Sequence, residues 1–365
     1  MAAHSLKSSR PASLPVPEQV LSCLSSVAQP GDQVLVAVSG GSDSVALLGA
    51  VAQVWPRVAA VHVHHGLRDA ADGDAQLVEQ LCAELEIPLQ VVHAPPRTDR
   101  DRSETSARTR RLDALAATAT TQNIPWILTA HHLDDAVETA LLNLRRGHRG
   151  ARAVAGIPTL RPARPGSSRG APRYLRPFLF GPAASGRSQL SQWREGADLP
   201  AAYDESNDDL TIPRNELRAL LARDQAPLTR ARLVHLRTRA QREIQGLVGR
   251  ATELLSEHLS AEGLGARLDR RALETGHEPG QLVECLRLLG PCLQPLHQLT
   301  LRTSVLKRLT QGIARERGQL LLPGFPEPLR ALCRGDGLHF PEITVAPGDG
   351  PARVMAALWS TPLFL

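Results

Sequence analysis

Lysine is almost absent from this 365-residue chain: Lys7 and Lys307 are the only two, although Lys and Arg together number 42. No lysine follows a glycine-rich turn, so the G-x-x-x-x-G-K-[ST] phosphate loop is excluded. The G-x-G-x-x-G dinucleotide fingerprint is missing after the first expected strand as well. Five cysteines (Cys23, Cys82, Cys285, Cys292 and Cys333) are scattered without a C-x-x-C pair, which argues against a zinc ribbon, a thioredoxin-type site or a disulfide framework. A reducing cytoplasm fits that usage best. Cys285 and Cys292, on an expected helix, read as core residues. No apolar stretch approaches the length of a membrane span, so a soluble protein without a membrane partner is expected. Met1 to Pro17 has Lys7 and Arg10 but no apolar signal core, and residues 1–18 read as a disordered leader. Its lack of acids leaves a transit peptide open. No internal repeat or heptad run is present.

What is abundant is arginine. The formal net charge is +5 and the sequence pI about 9.3. Arginine suits bidentate phosphate contacts and stacking on bases, which makes a polyanionic partner plausible. The abundance of Ala, Arg, Pro and Gly also fits a genome rich in G and C, so charge alone does not decide the partner.

The most informative run is Ser39-Gly40-Gly41-Ser42-Asp43-Ser44. Before it, Val34 to Val38 is a short apolar, β-branched run bounded by Pro30-Gly31-Asp32, which reads as a buried strand. After it, apolar residues continue at helical spacing from Val45 to Val54. Two glycines let the backbone turn tightly, and Ser42, Asp43 and Ser44 fall in the first helical turn, where free N–H groups and the helix dipole favour an anion. The geometry asks for phosphate.

Further strands are expected at Val58–Val63, Leu89–Val92 and Trp126–Thr129, with helices over Gln76–Leu85 and Ser103–Thr121. Strand–helix alternation with short connections indicates a parallel sheet covered by helices, which binds ligands at the carboxyl ends of its strands. The fold class is therefore α/β, with a boundary near Asp224. Residues 19–223 form the nucleotide-binding domain, and 224–365 a smaller, mainly helical domain with a short β element. Within the second part, helices are expected over Arg230–Leu259, Leu282–Leu289 and Leu299–Ala314, and short strands at Gln319–Leu322 and Gly337–Phe340. Arg145 to Arg173, rich in Arg, Gly, Pro and Ser, reads as one long basic loop.

Two more motifs reach the same sheet edge. His62-Val63-His64-His65-Gly66-Leu67-Arg68 follows the second strand, and its His cluster ending in Arg68 points to nucleotide contacts rather than to a metal. Thr129-Ala130-His131-His132-Leu133-Asp134-Asp135-Ala136-Val137-Glu138-Thr139 follows the fourth strand and opens a helix, with Leu133, Val137, Ala140, Leu141 and Leu144 as its buried stripe. Asp134, Asp135 and Glu138 then gather on the exposed side of its first two turns. Such acids complement a helix dipole, or beside a phosphate loop they hold Mg²⁺. Arg108 and Arg110 lie on a helix near Asp113, and Arg214 and Arg218 share one helix face; solvated ion pairs and phosphate or interdomain contacts are both open to them.

The Ser39–Ser44 run resembles the pyrophosphate loop (S-G-G-x-D-S) of the ATP pyrophosphatase superfamily, whose members split ATP to AMP and pyrophosphate. Taken with His62–Arg68, Glu104-x-x-Ala107-Arg108-x-Arg110, His131–Thr139, Arg176-Pro177-Phe178, Asp204-x-Ser206-Asn207 and Arg214-Asn215-x-x-Arg218, it is similar to the tRNA(Ile)-lysidine synthase family. The resemblance covers roughly Val34 to Arg218. It continues weakly at Leu322-Pro323-Gly324 and Leu338–Phe340, as in the short form of that family. It implies a sheet of the adenine-nucleotide α-hydrolase type, with ATP and Mg²⁺ as cofactors. The implied partners are free L-lysine and an isoleucine tRNA with a CAU anticodon; a homodimer is left open. Such enzymes adenylate the C2 oxygen of the wobble cytidine, and the ε-amine of lysine then expels AMP.

On this resemblance Ser39, Gly40, Gly41, Ser42, Asp43, Ser44, His64 and Arg68 bind ATP, and Asp43 with Asp134 or Asp135 holds Mg²⁺. His131, His132 and Arg108 stabilise charge near the α-phosphate or tRNA, and Glu138, Arg110, Asn207, Arg214 and Arg218 bind substrate. Which acids meet lysine and which meet Mg²⁺ stays open. The chain departs from the family at Ala136, where Gln is usual, and at Gly156-Ile157, where Gly-Met is frequent. The rival activities are a pyrophosphate-loop tRNA thiolase, disfavoured because no cysteine falls in the sheet-edge motifs, and a non-catalytic tRNA-binding protein, disfavoured by the intact acids. ATP-dependent amidation lacks a glutaminase segment.

Overall fold

Strand β1 (Val34–Ala37) lies at the centre of the first sheet, as its unbroken apolar sequence requires of a strand covered on both faces. The computed structural model describes residues 15–64, 70–96, 103–162, 172–181, 184–202, 213–223, 227–262, 265–269, 318–320, 331–334 and 337–340. β1 pairs in parallel with β2 (Val58–His64) on one side, Val34 opposite Val58, and with β4 (Trp126–Leu128) on the other, Val34 opposite Trp126. β3 (Leu89–His93) adds to β2 and β6 (Arg173–Leu175) to β4, both in parallel. With β5 (Leu160–Pro162) beyond β6, the order is β3-β2-β1-β4-β6-β5. The chain thus builds outward from β1 to β3, then returns to lay β4 against the other edge of β1. That reversal opens a crevice at the carboxyl ends of β1 and β4, where open α/β sheets place their ligands.

Helix α2 (Ser42–Val54) is buried all round from Ser44 to Val51, because α1 (Val16–Ser25) and α7 (Arg187–Gly196) cover the faces that the sheet does not. Leu35, Leu47, Leu48, Ile127 and Leu128 are fully enclosed, each contributing on the order of 1.5–3 kcal/mol by leaving water. α3 (Ala70–Glu84) starts six residues before the Gln76 expected from its apolar spacing, and α4 (Glu104–Thr121) is started by Ser103, whose side chain accepts from Ser106 N–H at 3.2 Å.

Two expectations change. Of the leader placed over 1–18, Val16 to Glu18 are instead the first turn of α1, with Val16 and Val20 in the core; residues 1–14 lie outside the described residues. The stretch read as one loop from Arg145 to Arg173 carries α6 (Ala151–Ala155) and β5, since Ala151-Arg152-Ala153-Val154-Ala155 is a helix-favouring run inside a breaker-rich context. By contacts the chain divides into one unit reaching Arg161 and running again from Pro172 to Thr238, and another from Arg239 onward. The division by contacts falls inside α9 (Pro227–His258).

The second unit holds an antiparallel sheet of β7 (Leu259–Glu262), β8 (Gly265–Asp269), β9 (Gly318–Leu320), β10 (Ala331–Arg334) and β11 (Gly337–Phe340) in the order β7-β8-β11-β10-β9. The β element is larger than two short strands, because β7 and β8 carry Ala, Ser, Glu and Gly, residues with little strand signal of their own. Leu282–Leu289, Leu299–Ala314 and Leu322–Gly324 lie outside the described residues.

α5 (Leu133–Arg145) packs on α6 where the chain departs from the pattern of the family it resembles: the carbonyl of Ala136 faces Gly156, the residue closing α6. Gly156 has φ +67°, and a Cβ there would collide with the Ala136 carbonyl oxygen, which is backbone and cannot swing away. Gly156→Ala is expected to cost about 2–4 kcal/mol in chemical denaturation. A loss under about 0.5 kcal/mol would show that the α5–α6 contact relaxes freely.

Candidate active site

The loop after β1 is held by its own hydroxyls. Ser39 N–H donates to Ser44 Oγ at 3.1 Å, the Ser39 and Ser44 hydroxyls meet at 3.1 Å, and Ser44 Oγ donates to the Gly41 carbonyl at 2.8 Å. Gly40 takes φ +88°, a conformation reserved for glycine, and its carbonyl accepts from Ala202 N–H at 2.9 Å. From α7, Arg194 Nε donates to Ser42 Oγ at 3.1 Å. No side chain caps α2, so the N–H groups of Ser42 and Asp43 in its first turn remain for an anion, while that of Ser44 donates to the Gly41 carbonyl at 3.0 Å.

β4 delivers His131 and His132 to the same edge. His132 is fully buried and begins α5 through a capping box: its backbone N–H donates to Asp135 Oδ2 at 3.0 Å, and its Nδ1 accepts from Asp135 N–H at 3.4 Å. That leaves Nε2 as the protonated nitrogen, 3.3 Å from Asp43 Oδ2 and 3.6 Å from Asp135 Oδ2, although it is not aligned for a hydrogen bond with either. Burial alone would lower the His132 pKa, but Asp43 and Asp135 outweigh it and raise the value above 6.5. Burial would likewise raise Asp43, yet His132, followed by Arg187 and Arg218, lowers it. Asp43 Oδ1 is buried without a partner. Asp134 faces elsewhere: its Oδ2 accepts the Arg187 N–H that opens α7, at 2.8 Å, and lies 3.7 Å from His132 Nδ1.

Glu138 departs most from expectation. It is 2% exposed rather than on the open side of α5, and two arginines of α8 (Pro213–Arg223) enclose it. Arg214 Nε reaches Glu138 Oε2 at 2.8 Å and Arg218 Nε reaches Oε1 at 3.1 Å, while Arg214 Nη2 lies 3.4 Å from Asp135 Oδ1. Arg214 and Arg218 therefore anchor α8 to the acid-bearing helix. Expecting Glu138 in solvent counted helix turns of α5 alone and had no view of the element that covers it.

The loop, His131, Asp135 and Arg214 border a cleft of about 450 Å³ lined by Ser39, Gly41, Asp43, Ser44, His62, His64, Asp74, Arg108, Arg111, Thr129, His131, Asp135, Tyr174, Arg176 and Arg214 among others. His62 is a buried structural histidine, its Nδ1 2.9 Å from the Val38 carbonyl. His64 pairs with Asp72 at 3.0 Å. Burial, then Arg176, Arg111, Arg108 and Arg214, hold the His131 pKa well below 6.5, so it is uncharged at neutral pH. Arg110 turns away, donating from Nε to the Ala94 carbonyl at 3.3 Å. His65, Arg68 and Asn207 lie outside the described residues.

Arg111, Arg176 and Arg194 were not among the expected site residues. Arg111 had a readable signal, since 108, 111, 112 and 115 form one helical face lining the cleft. Arg194 had none, because it meets the loop from a helix about 150 residues away.

The PP-loop domain family matches residues 15–224. The tRNA(Ile)-lysidine synthase of Polaromonas naphthalenivorans is 39% identical over 188 residues, 51% of this chain and 54% of the relative. That of Zymomonas mobilis is 36% identical over 189 residues (51% and 54%), and that of Edwardsiella ictaluri 34% over 233 (62% and 49%). The chain spans about half the length of these curated relatives. The match covers the loop, the His132 cap and the arginines of α8 together: the chain belongs to the ATP-binding PP-loop domain family.

Proposed function

We propose that this chain forms lysidine, joining the ε-amine of free L-lysine to C2 of the wobble cytidine in an isoleucine tRNA with a CAU anticodon. The observation that supports it best is the convergence of the Ser39–Ser44 loop, the His131–Asp135 segment and an arginine-lined wall on one cleft, in a chain similar to synthases of that name. In the first step the C2 oxygen attacks the α-phosphorus of ATP, and pyrophosphate leaves toward the N–H groups of α2. In the second the lysine nitrogen bonds C2, the C2–O bond breaks with AMP as leaving group, and the nitrogen sheds its proton to solvent.

Mg²⁺ fits the chemistry of the donors. Asp43 has a buried oxygen without a partner, and Asp135 lines the same cleft; one or two carboxylates plus phosphate oxygens are what Mg²⁺ takes. Bound there, it would neutralise charge on the phosphate oxygens. Asp134, committed to α7, is the poorer ligand, and Glu138, between two guanidiniums, is the poorest of the acids to meet the lysine ammonium. The uncharged His131 adds no positive charge to the cleft. Because tRNA is the substrate, the reading places the chain in the cytoplasm.

The test mixes the purified chain with ATP, Mg²⁺, a CAU-anticodon transcript and labelled lysine. Lysine-dependent AMP release with label in the RNA is the expected result. A folded protein that leaves the RNA unlabelled overturns it; sulfur incorporation would identify a thiolase, and RNA binding without AMP release a non-catalytic binder.

A further inference from the structure

One wall of the cleft holds more positive charge than the protein neutralises. Arg108 and Arg111, three residues apart, come from one face of α4, and Arg176 follows β6; all three line the cleft, with Arg161 stacked on the Tyr174 ring at 4.9 Å behind them. Among the described residues no carboxylate pairs with Arg108, Arg111, Arg161 or Arg176. Arg176 is 3% exposed; its Nη1 is spent on the Pro158 carbonyl at 2.6 Å, while its Nε is buried without a partner. Burial first, then Arg161 and Arg108, push the Arg176 pKa down to about 9, as an uncompensated buried cation requires. An unpaired buried charge is costly, and a chain that keeps one in a cleft beside further arginines without carboxylate partners has an anion to receive.

The position of the wall says which anion. β6 is two strands from β1, so at about 4.8 Å per strand Arg176 stands on the order of 10 Å from the pyrophosphate loop. That is beyond the β- and γ-phosphates held at α2. We propose that Arg111 and Arg176, with Arg108 at the rim, bind a backbone phosphodiester of the RNA next to the base under attack. The inference rests on the reading of the substrate as RNA. The site fixes where the target base sits relative to the α-phosphate, and Tyr174, whose hydroxyl donates to the Leu112 carbonyl at 2.8 Å, keeps α4 and β6 in register behind it.

The experiment measures binding to an anticodon stem-loop in which single phosphates flanking the target cytidine are replaced by uncharged methylphosphonates. Wild-type protein is expected to lose about tenfold in affinity at one flanking position. Arg111→Gln should lose about tenfold on the all-phosphate RNA, with a salt slope smaller by about one, and lose nothing further on that methylphosphonate. Its affinity for ATP without RNA should stay within about twofold. Equal methylphosphonate losses for wild type and variant, or a variant weakened toward ATP but not RNA, would overturn the site. Because the wild-type chain with chemically altered RNA carries half of the comparison, the test survives a poorly folding Arg176 variant. Lysine transfer without this coupling would sink the site and leave the proposed reaction standing; coupling without lysine transfer would do the reverse.

Discussion

Asp43→Asn is expected to lower lysine-dependent AMP release by about 10²–10³-fold while RNA affinity stays within about twofold. Asp43 touches three parts of the proposed chemistry. It sits in the first turn of α2 behind the phosphate loop, its Oδ1 is buried and unpartnered, and its Oδ2 lies 3.3 Å from His132 Nε2. The amide keeps the shape but cannot bind a divalent cation as a carboxylate does, and it removes the charge that favours the His132 imidazolium. RNA affinity, carried by arginines, has no reason to follow. Single-turnover AMP release and filter binding on one preparation read both quantities; equal loss in both would contradict the roles given to Asp43.

The same variant has a pH signature in the metal-free protein. His132 is raised above 6.5, so its share of the stability is complete below that value and is lost as pH rises through the higher folded pKa. Asp43 is lowered below 3.8, so its share is present above that value and is lost as pH falls through the lower one. Between those limits the pair stabilises the fold, and Asp43→Asn should flatten the alkaline side of the profile.

The centre of the fold was readable because local and global signals agree there. Val34–Ala37 is apolar without interruption, two glycines mark the turn, and the parallel neighbours of β1 are apolar runs of the same kind. The site was readable as far as it lies on the carboxyl ends of β1 and β4, since topology alone brings Ser39–Ser44 and His131–Asp135 together. What failed depended on long-range packing. Val16 looked like part of a tail because nothing local reveals that α1 is needed to cover α2. Glu138 looked solvated because its burial is caused by arginines 76 and 80 residues later. Arg176 looked like part of a motif without a role, since its orphaned nitrogen becomes visible only when the wall around it is assembled.

Glu138→Ala is expected to destabilise the first unit by about 2–3 kcal/mol. Removing one partner of a buried ion pair costs about 3–5 kcal/mol. Here Arg214 and Arg218 are 30% and 25% exposed and regain some water, which trims the loss. The midpoint of urea unfolding should fall with little change in slope. Glu138→Gln, which keeps shape and one acceptor, should lose about half as much. The decisive comparison is a double-mutant cycle: once Glu138 is gone, Arg218→Ala should cost less than it does in the wild type, because the contact between the two no longer exists. Activity would also fall, since Arg214 Nη2 steadies Asp135 at 3.4 Å and a loosened α8 frees that carboxylate to turn from the cleft. A glutamate whose task were to hold the lysine ammonium would behave otherwise. Its removal would raise the KM for lysine and leave the unfolding midpoint and the Arg218 cycle unmoved, and that outcome would return Glu138 from the scaffold to the substrate.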